Sequence, residues 1–469
     1  MSLEDRLYPL LAVYERMPRS AKVALGSLYR DLPVSIRLGS RYAEFRDLAT
    51  QVESWSQNQV MEYQFQQLRS TLVHAKRYSP FYAERFAKAG FRPERMTEPG
   101  DLAGCPYLTK EDLAVYGRST LPTSSPPSSQ RLYITTGGST GAPVGFYIHK
   151  GVSRPKEQAF LEAQWRRAGY FDGARLALLR GNVTSSRSRG CIASYDATRD
   201  WLALSSYHLS LSRLPEYLEE VTRFRPDILH AYPSAALQLA DLLQRARVPW
   251  PIRLRCVLAG SEKLTIPQKR LLEQAFGCRI FTWYGHSERV VLAGEGRTSS
   301  LLYFWPTYGF VEFGPADGDG LCEIIGTSFH NLVMPLIRYK TGDYARVYQP
   351  HIDGPKEFPW PAVRSVEGRS HEFLITGEGR KVSLTALNMH DESFEGLYAL
   401  QFFQDHPGRA ELRYVPGPSF DKRRLSQVEA AVQHKLGDDM EIVLLEVAEV
   451  ERTSRGKGKW LVSSLGEQG

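Results

Sequence analysis

Tyr133-Ile134-Thr135-Thr136-Gly137-Gly138-Ser139-Thr140-Gly141-Ala142-Pro143 is the stretch on which the reading of this chain turns. An apolar extended run from Leu132 to Ile134 empties into a loop of glycine and hydroxyl residues. A second alternating run, Val144-Gly145-Phe146-Tyr147-Ile148, leads out of it to Lys150. Glycine permits positive φ and close backbone approach, so successive N–H groups of such a loop can wrap an anion. Thr136, Ser139 and Thr140 add hydroxyl donors, which suits a flexible triphosphate clamp. Taken alone, the loop admits three readings: a hairpin turn, a nucleophile elbow, or a phosphate loop. Gly137 to Gly141 fits the G-x-S-x-G elbow, but that motif needs a helix after the turn, and Pro143 with the run behind it reads as strand. The Walker pattern fails because no Lys-Ser/Thr follows the last glycine.

Outward from the loop, strands and helices alternate. Arg175–Leu179, Asp227–His230, Arg253–Leu258 and Arg279–Trp283 read as strands; Leu214–Phe224, Ser234–Arg247 and Ile266–Phe276 read as helices. This alternation predicts an α/β fold with a doubly wound, mostly parallel sheet. Ligands of such sheets bind beyond the C-terminal strand ends. The residues there are Tyr232-Pro233-Ser234, Gly260-Ser261-Glu262-Lys263 and Tyr284-Gly285-His286-Ser287-Glu288. From 309 the pattern changes to hairpins, with strands at Phe310–Phe313 and Leu321–Gly326 around Asp317-Gly318-Asp319-Gly320. That turn lacks the third oxygen ligand and closing glutamate of a calcium loop. Met334 to Asp343 reads as a strand running into a turn that ends in a carboxylate. On the N-terminal side, 58–90 reads as a long helix that Ser79-Pro80 ends or bends. Thr109 caps a short helix, and 121–130 is a Ser/Pro-rich exposed connection.

A chain of 469 residues exceeds one core. The expected division is a large N-terminal domain, 1–366, and a small mobile α+β domain, 367–469. The large domain has a helical start over 1–120, the loop at 135–143 and a β-rich part at about 309–366. Apolar content of 42% and charged content of 24% are ordinary for a globular protein. A net charge of +7 suits anionic ligands such as nucleotides. No basic run interleaved with aromatics points to nucleic acid. The five cysteines, Cys105, Cys191, Cys256, Cys278 and Cys322, are scattered and form no CxxC pair. Neither a disulfide framework nor a zinc site is expected, and a reducing cytoplasm fits. Leu7–Tyr14 is too short for a signal peptide and carries Pro9, leaving at most weak peripheral contact with a membrane. No run reaches the ~20 apolar residues of a membrane span.

Together these stretches resemble the adenylate-forming superfamily, and within it the phenylacetate–coenzyme A ligase/CapK-like branch. Thr136 to Pro143 is similar to its phosphate loop. Tyr284 to Glu288 is similar to its Tyr-Gly-x-Thr/Ser-Glu, and Arg338 to Asp343 to its Arg-Tyr-x-Thr-Gly-Asp. Gly368-Arg369 matches the Gly-Arg that opens the small domain, and Gly456-Lys457 the late Gly-Lys. The resemblance implies a two-step reaction. A carboxylate attacks the α-phosphate of ATP, giving acyl-AMP and pyrophosphate, and the acyl group then passes to coenzyme A. It also implies site roles. Thr136, Gly137, Gly138, Ser139, Thr140 and Gly141 hold the β- and γ-phosphates, and Glu288 holds Mg2+. Asp343 accepts the ribose hydroxyls, and Arg369 contacts the ribose or phosphates. Lys457 reaches the α-phosphate and carboxylate. Gly260, Ser261, Glu262 and Trp283 to Gly285 flank the adenine, with Tyr284 stacked on it and His286 and Ser287 completing that motif.

Such residue types suit the chemistry, since a poor carboxylate nucleophile demands neutralised phosphates and Mg2+ prefers oxygen ligands. His208, His230, Tyr232 and Trp283 are candidates for the acyl pocket. Read singly, Asp343 is a turn aspartate, Lys457 a solvated lysine and Glu288–Arg289 a surface ion pair. Only their order along the chain favours the functional reading. Val144 stands where the superfamily often has lysine, His371 stands at the usual hinge acid, and Arg289 is a candidate for binding a negatively charged substrate. Relatives of the CapK type are associated with polysaccharide loci, so transfer of the acyl group to an amine or other acceptor is the alternative. Remoter ones are a non-catalytic nucleotide-binding protein and a hydrolase built on Ser139.

Overall fold

The computed structural model describes residues 13–14, 17–135, 144–181, 191–316, 320–367, 373–387, 394, 397–416, 420–451 and 459–465. The helical start includes α1 (Arg19–Asp31), α2 (Ser40–Gln51), α3 (Gln57–Tyr78), α4 (Pro80–Lys88) and α5 (Lys110–Tyr116). Strands β1 (Arg131–Thr135) and β2 (Gly145–His149) pair with each other on either side of the glycine loop and lead to α6 (Ser153–Arg166). Next come β3 (Leu176–Leu179), β4 (Ala193–Asp196), β5 (Trp201–Leu204), α7 (Leu214–Phe224), β6 (Ile228–Ala231), α8 (Pro233–Ala246), β7 (Cys256–Gly260) and α9 (Ile266–Phe276). A run of strands follows: β8 (Arg279–Gly285), β9 (Leu292–Glu295), β10 (Leu302–Phe304), β11 (Gly309–Ala316), β12 (Cys322–Ser328), β13 (Tyr339–Val347) and β14 (Ala362–Glu367). The C-terminal part contains β15 (Phe373–Ile375), β16 (Lys381–Ser383), β17 (Leu397–His406), β18 (Arg409–Pro416), α10 (Leu425–Leu436), β19 (Glu441–Glu446) and β20 (Leu461–Ser463).

Local chemistry accounts for the helix boundaries. Ser56 and Gln59 form a capping box that starts α3, and Ser79 closes α3 while its side chain caps α4, whose first residue is Pro80. Thr109 accepts from the Asp112 N–H at 3.2 Å, and Asp112 returns the bond to the Thr109 N–H at 2.9 Å, which starts α5. Thr265 and Gln268 do the same for α9, which ends at Gly277 with φ +63°.

The chain divides into two compact units. The first comprises 1–134, 145–171 and 281–368; the second comprises 135–144, 172–280 and 369–469. Strands of the first unit run in the order β11-β12-β13-β14-β10-β9-β8, each pair antiparallel. The β-rich character therefore begins at β8, earlier than the hairpin signal near 309. Its core joins Tyr42, Phe45 and Ala49 of α2 to Phe160 of α6 and to Tyr303, Trp305 and Trp360.

In the second unit β7-β6-β3-β5 are parallel, with β4 antiparallel at the edge. Alternate residues Ala177, Leu179, Leu229, Ala231, Val257 and Ala259 share a core with α7, α8 and α9. His230, between Leu229 and Ala231, points to the other face of β6. The C-terminal part adds a sheet in the order β19-β18-β17-β20, with a core that includes Tyr207, Phe402, Leu412, Val432 and Trp460. The fold class is α/β, as the alternation of strands and helices predicts. Among the described residues no helix is long and apolar enough to cross a membrane.

Candidate functional site

In the first unit, the motif at the end of β8 and the motif that opens β13 form one cluster. β13 does not begin where the sequence places a strand. Residues 331–338 are irregular, Arg338 takes a left-handed φ of +48°, and pairing starts at Tyr339. Arg338 is only 6% exposed, and its guanidinium accounts for the departure. It forks onto Glu312 (Nε–Oε2 3.1 Å, Nη2–Oε1 2.9 Å). Its remaining donors reach the carbonyls of Ala103 (3.1 Å) and Cys105 (2.6 Å) and the Tyr107 hydroxyl (3.2 Å). The motif's arginine is thus given over to anchoring the strand entry.

Beyond it, β13 bulges rather than turning. Ile325 faces Lys340 and Glu323 faces Tyr344, so Ile324 alone opposes Thr341, Gly342 and Asp343. Thr341 Oγ1 donates to the Ile324 carbonyl at 2.7 Å and accepts from the Asp343 N–H at 3.1 Å. Gly342 has φ +70°, a conformation L side chains rarely adopt. Such a bulge re-aims a side chain out of the ladder. Asp343 receives the Tyr284 hydroxyl at 3.0 Å on Oδ2.

Glu288 sits beside this pair. Tyr339 donates to its Oε1 at 2.9 Å, and His286 Nδ1 lies 3.2 Å from its Oε2. Burial opposes ionisation of Glu288. The hydrogen bond and charge of His286, the residue's own N–H and Lys110 outweigh it, so the carboxyl is lowered to about 2. Burial and the Asp343 charge together hold the Tyr284 hydroxyl protonated, well above the usual phenol range. Tyr284 packs edge-on against Phe304 (6.1 Å) and at a tilt to His286 (5.9 Å). Gly285 is exposed and Ser287 half-buried. Trp283 meets Trp165 edge-on at 5.8 Å. Arg289, a candidate for an anionic substrate by its sequence position, is otherwise engaged: it donates to the Ser153 carbonyl at 3.1 Å and lies 3.9 Å from Glu157.

In the second unit, the predicted residues gather at the C-terminal ends of the parallel strands. Just past β3, Arg180 donates to His230 Nε2 (2.7 Å) and Ser261 Oγ (2.7 Å), with its guanidinium 4.5 Å over the Tyr232 ring. Burial, then the Arg180 charge, pushes His230 well below the usual imidazole range, so it stays neutral. Glu262 accepts from the Ser234 N–H (2.7 Å) and hydroxyl (2.9 Å), anchoring the N-terminus of α8. His208 bonds the Ser205 hydroxyl at 2.8 Å; burial and then Arg213 and Arg380 lower its pKa. Thr136, Gly137, Gly138, Ser139, Thr140, Gly141, Arg369, His371 and Lys457 lie outside the described residues.

Sequence reading missed Arg180, whose signal is a basic residue next to Gly181 at a strand end. It also missed the role of Tyr339, although that residue stands inside the quoted motif. Among the described residues no group of three His, Cys, Asp or Glu is arranged to hold a metal by itself.

No family model matches the sequence. Phenylacetate–coenzyme A ligase of Pseudomonas putida is 28% identical over 344 residues, covering 70% of this chain and 75% of that protein. Protein CapK of Staphylococcus aureus is 22% identical over 414 residues, covering 87% and 90%. A crystal structure of 2-hydroxyisobutyryl-CoA ligase in complex with 2-HIB-AMP and CoA aligns with a TM-score of 0.53 at 16% identity, over 88% of this chain and 91% of that one. By sequence the chain is similar to phenylacetate–coenzyme A ligases and CapK, and in fold it is similar to 2-hydroxyisobutyryl-CoA ligase.

Proposed function

We propose that this protein activates a carboxylic acid with ATP, forming acyl-AMP and pyrophosphate, and then transfers the acyl group to coenzyme A. One observation carries the reading: Tyr284 and Glu288 from one motif meet Tyr339 and Asp343 from another in a single polar cluster. Asp343 is assigned the ribose hydroxyls, with its carboxylate oriented by the Tyr284 hydroxyl. The chemistry of Glu288 fits a hard cation, because its carboxyl stays ionised into strong acid. Mg2+ typically takes one or two carboxylates plus substrate phosphates, so Glu288 is the residue that would hold it. The ion would supply neutralisation of phosphate charge.

The loop residues Thr136 to Gly141 are assigned the β- and γ-phosphates, and Arg369 the ribose or phosphate region. Lys457 is assigned the α-phosphate and the reacting carboxylate, as a compact ammonium on a long stem. Residues from 367 onward are assigned to the small domain, with His371 at its hinge. Acyl transfer to an amine or another acceptor is the second reading. The longer match to CapK, 87% of this chain against 70% for the Pseudomonas putida ligase, favours keeping it.

The test is carboxylate-dependent exchange of labelled pyrophosphate into ATP across a panel of acids, then acceptor trials with coenzyme A and amines. Stimulated exchange supports adenylation. Exchange by no acid in the panel would remove the proposal, and thioester or amide product decides the acceptor.

A further inference from the structure

At the strand ends of the second unit stands a cation whose partners among the described residues are all neutral. Arg180 donates from one nitrogen to His230 Nε2 and from another to the Ser261 hydroxyl, and its face lies over the Tyr232 ring. Because His230 accepts this bond at Nε2, its own proton sits on Nδ1 and the imidazole adds no charge. The nearby carboxylate of Glu262 is committed to Ser234 and the start of α8. Among the described residues Arg180 has no carboxylate partner. The side chain is half-buried, and its contact with Ser261 is open to solvent, so a ligand can reach the guanidinium.

The position matters as much as the charge. β3, β5, β6 and β7 are parallel, so Arg180, His208, Tyr232 and Ser261 follow strands that end on the same side. That side of an open α/β sheet is where ligands bind. An acid with a wholly apolar tail placed against Arg180 would strip water from the guanidinium and return nothing. A carboxylate in the same place would return two charge-assisted hydrogen bonds in the fork geometry that arginine presents.

We propose that Arg180 binds a second anionic group on the acid, so that the preferred substrate is a dicarboxylate or an acid with another anionic substituent remote from the reacting carboxyl. This rests on the acyl-activating reading above and gives that reading a substrate class. Arg180 acts as a specificity residue, held in aim by His230 and Ser261.

The experiment pairs a series of monocarboxylic acids with the dicarboxylic acid matched to each, in pyrophosphate exchange, for wild type, Arg180→Met and Arg180→Lys. Wild type is expected to favour the dicarboxylate of at least one pair in kcat/KM. Arg180→Met should lower that preference by about tenfold or more, the scale of a charge-assisted hydrogen bond. Arg180→Lys, which keeps the charge and loses the fork, should fall between and guards against a folding defect. Equal loss with both members of every pair would overturn the proposal, because Arg180 would then serve the reacting carboxylate. So would a wild-type preference for the neutral-tailed acids. Thermal shift with the same acids and no ATP separates the anion site from the adenylation reading. If no acid supports exchange but dicarboxylates still raise the Tm of wild type and not of Arg180→Met, the anion site stands and the adenylation reading falls. If neither responds, the anion site falls with it.

Discussion

Arg338→Leu tests how the polar cluster around Glu288 and Asp343 is built. The substitution removes a forked ion pair to Glu312, at 2.9 and 3.1 Å, and three further hydrogen bonds at 2.6 to 3.2 Å. The arginine side chain is 7% exposed and the glutamate side chain 20%, so solvent replaces little of this. Breaking a buried pair from one side costs about 3–5 kcal/mol, chiefly because the remaining charge is stranded. For a folding unit of a few hundred residues that corresponds to roughly 6–20 °C in Tm. Replacing both partners, Arg338→Leu with Glu312→Leu, should recover most of the loss, because no charge remains buried.

The pH dependence has a definite sign. Burial already raises the Glu312 carboxyl, and Arg338 counters it. Without Arg338 the folded state holds the Glu312 proton more tightly than the unfolded chain does. The variant is then least destabilised below about pH 4, and the loss grows as pH rises through the raised value. Urea and thermal unfolding of wild type, both single variants and the double variant supply the cycle. A single variant within about 1 kcal/mol of wild type at neutral pH, or a double variant worse than the single, would refute the clamp.

Glu288→Gln keeps the shape of the side chain and removes its charge. Pyrophosphate exchange at saturating magnesium should drop about a hundredfold or more while the fold is retained; unchanged exchange would remove Glu288 from the metal role. Burial lowers the Lys156 amine to about 7, and the neighbouring Glu157 charge only partly offsets it. Its neutral form is favoured on folding, so the stability of wild type relative to Lys156→Met should fall as pH drops from about 10 toward 7. A Tm difference independent of pH would contradict this. Lys457→Ala should abolish adenylate formation and leave circular dichroism and Tm as in wild type; wild-type exchange would refute its assignment.

What could be read from the sequence is what neighbouring residues decide. The span of α7 agrees with its expected bounds residue for residue, and so does that of α9. For α9 the local signals are the Thr265 cap and Gly277 at its end. The apolar runs of β3, β6 and β7 are legible for the same reason, and with them the α/β class. Strands β4 and β5 are no shorter than β3 and β6, but the sequence reading does not place them. Their place is decided by pairing to each other and to β3.

The site divides along the same line. Sequence alone identified Tyr284, Glu288 and Asp343 as candidates, because motifs are contiguous. It could not assign Arg338 to anchoring, because the Cys105 carbonyl that it binds is 233 residues away. Nor could it place the Tyr284 hydroxyl on Asp343 across 59 residues, or bring Arg180 to His230 and Ser261 across 50 and 81. Caps, turns and periodicity act over a few residues and are written in order along the chain. Which side chain meets which is decided by strand order and by one bulge in β13, and those exist only once the sheet has formed.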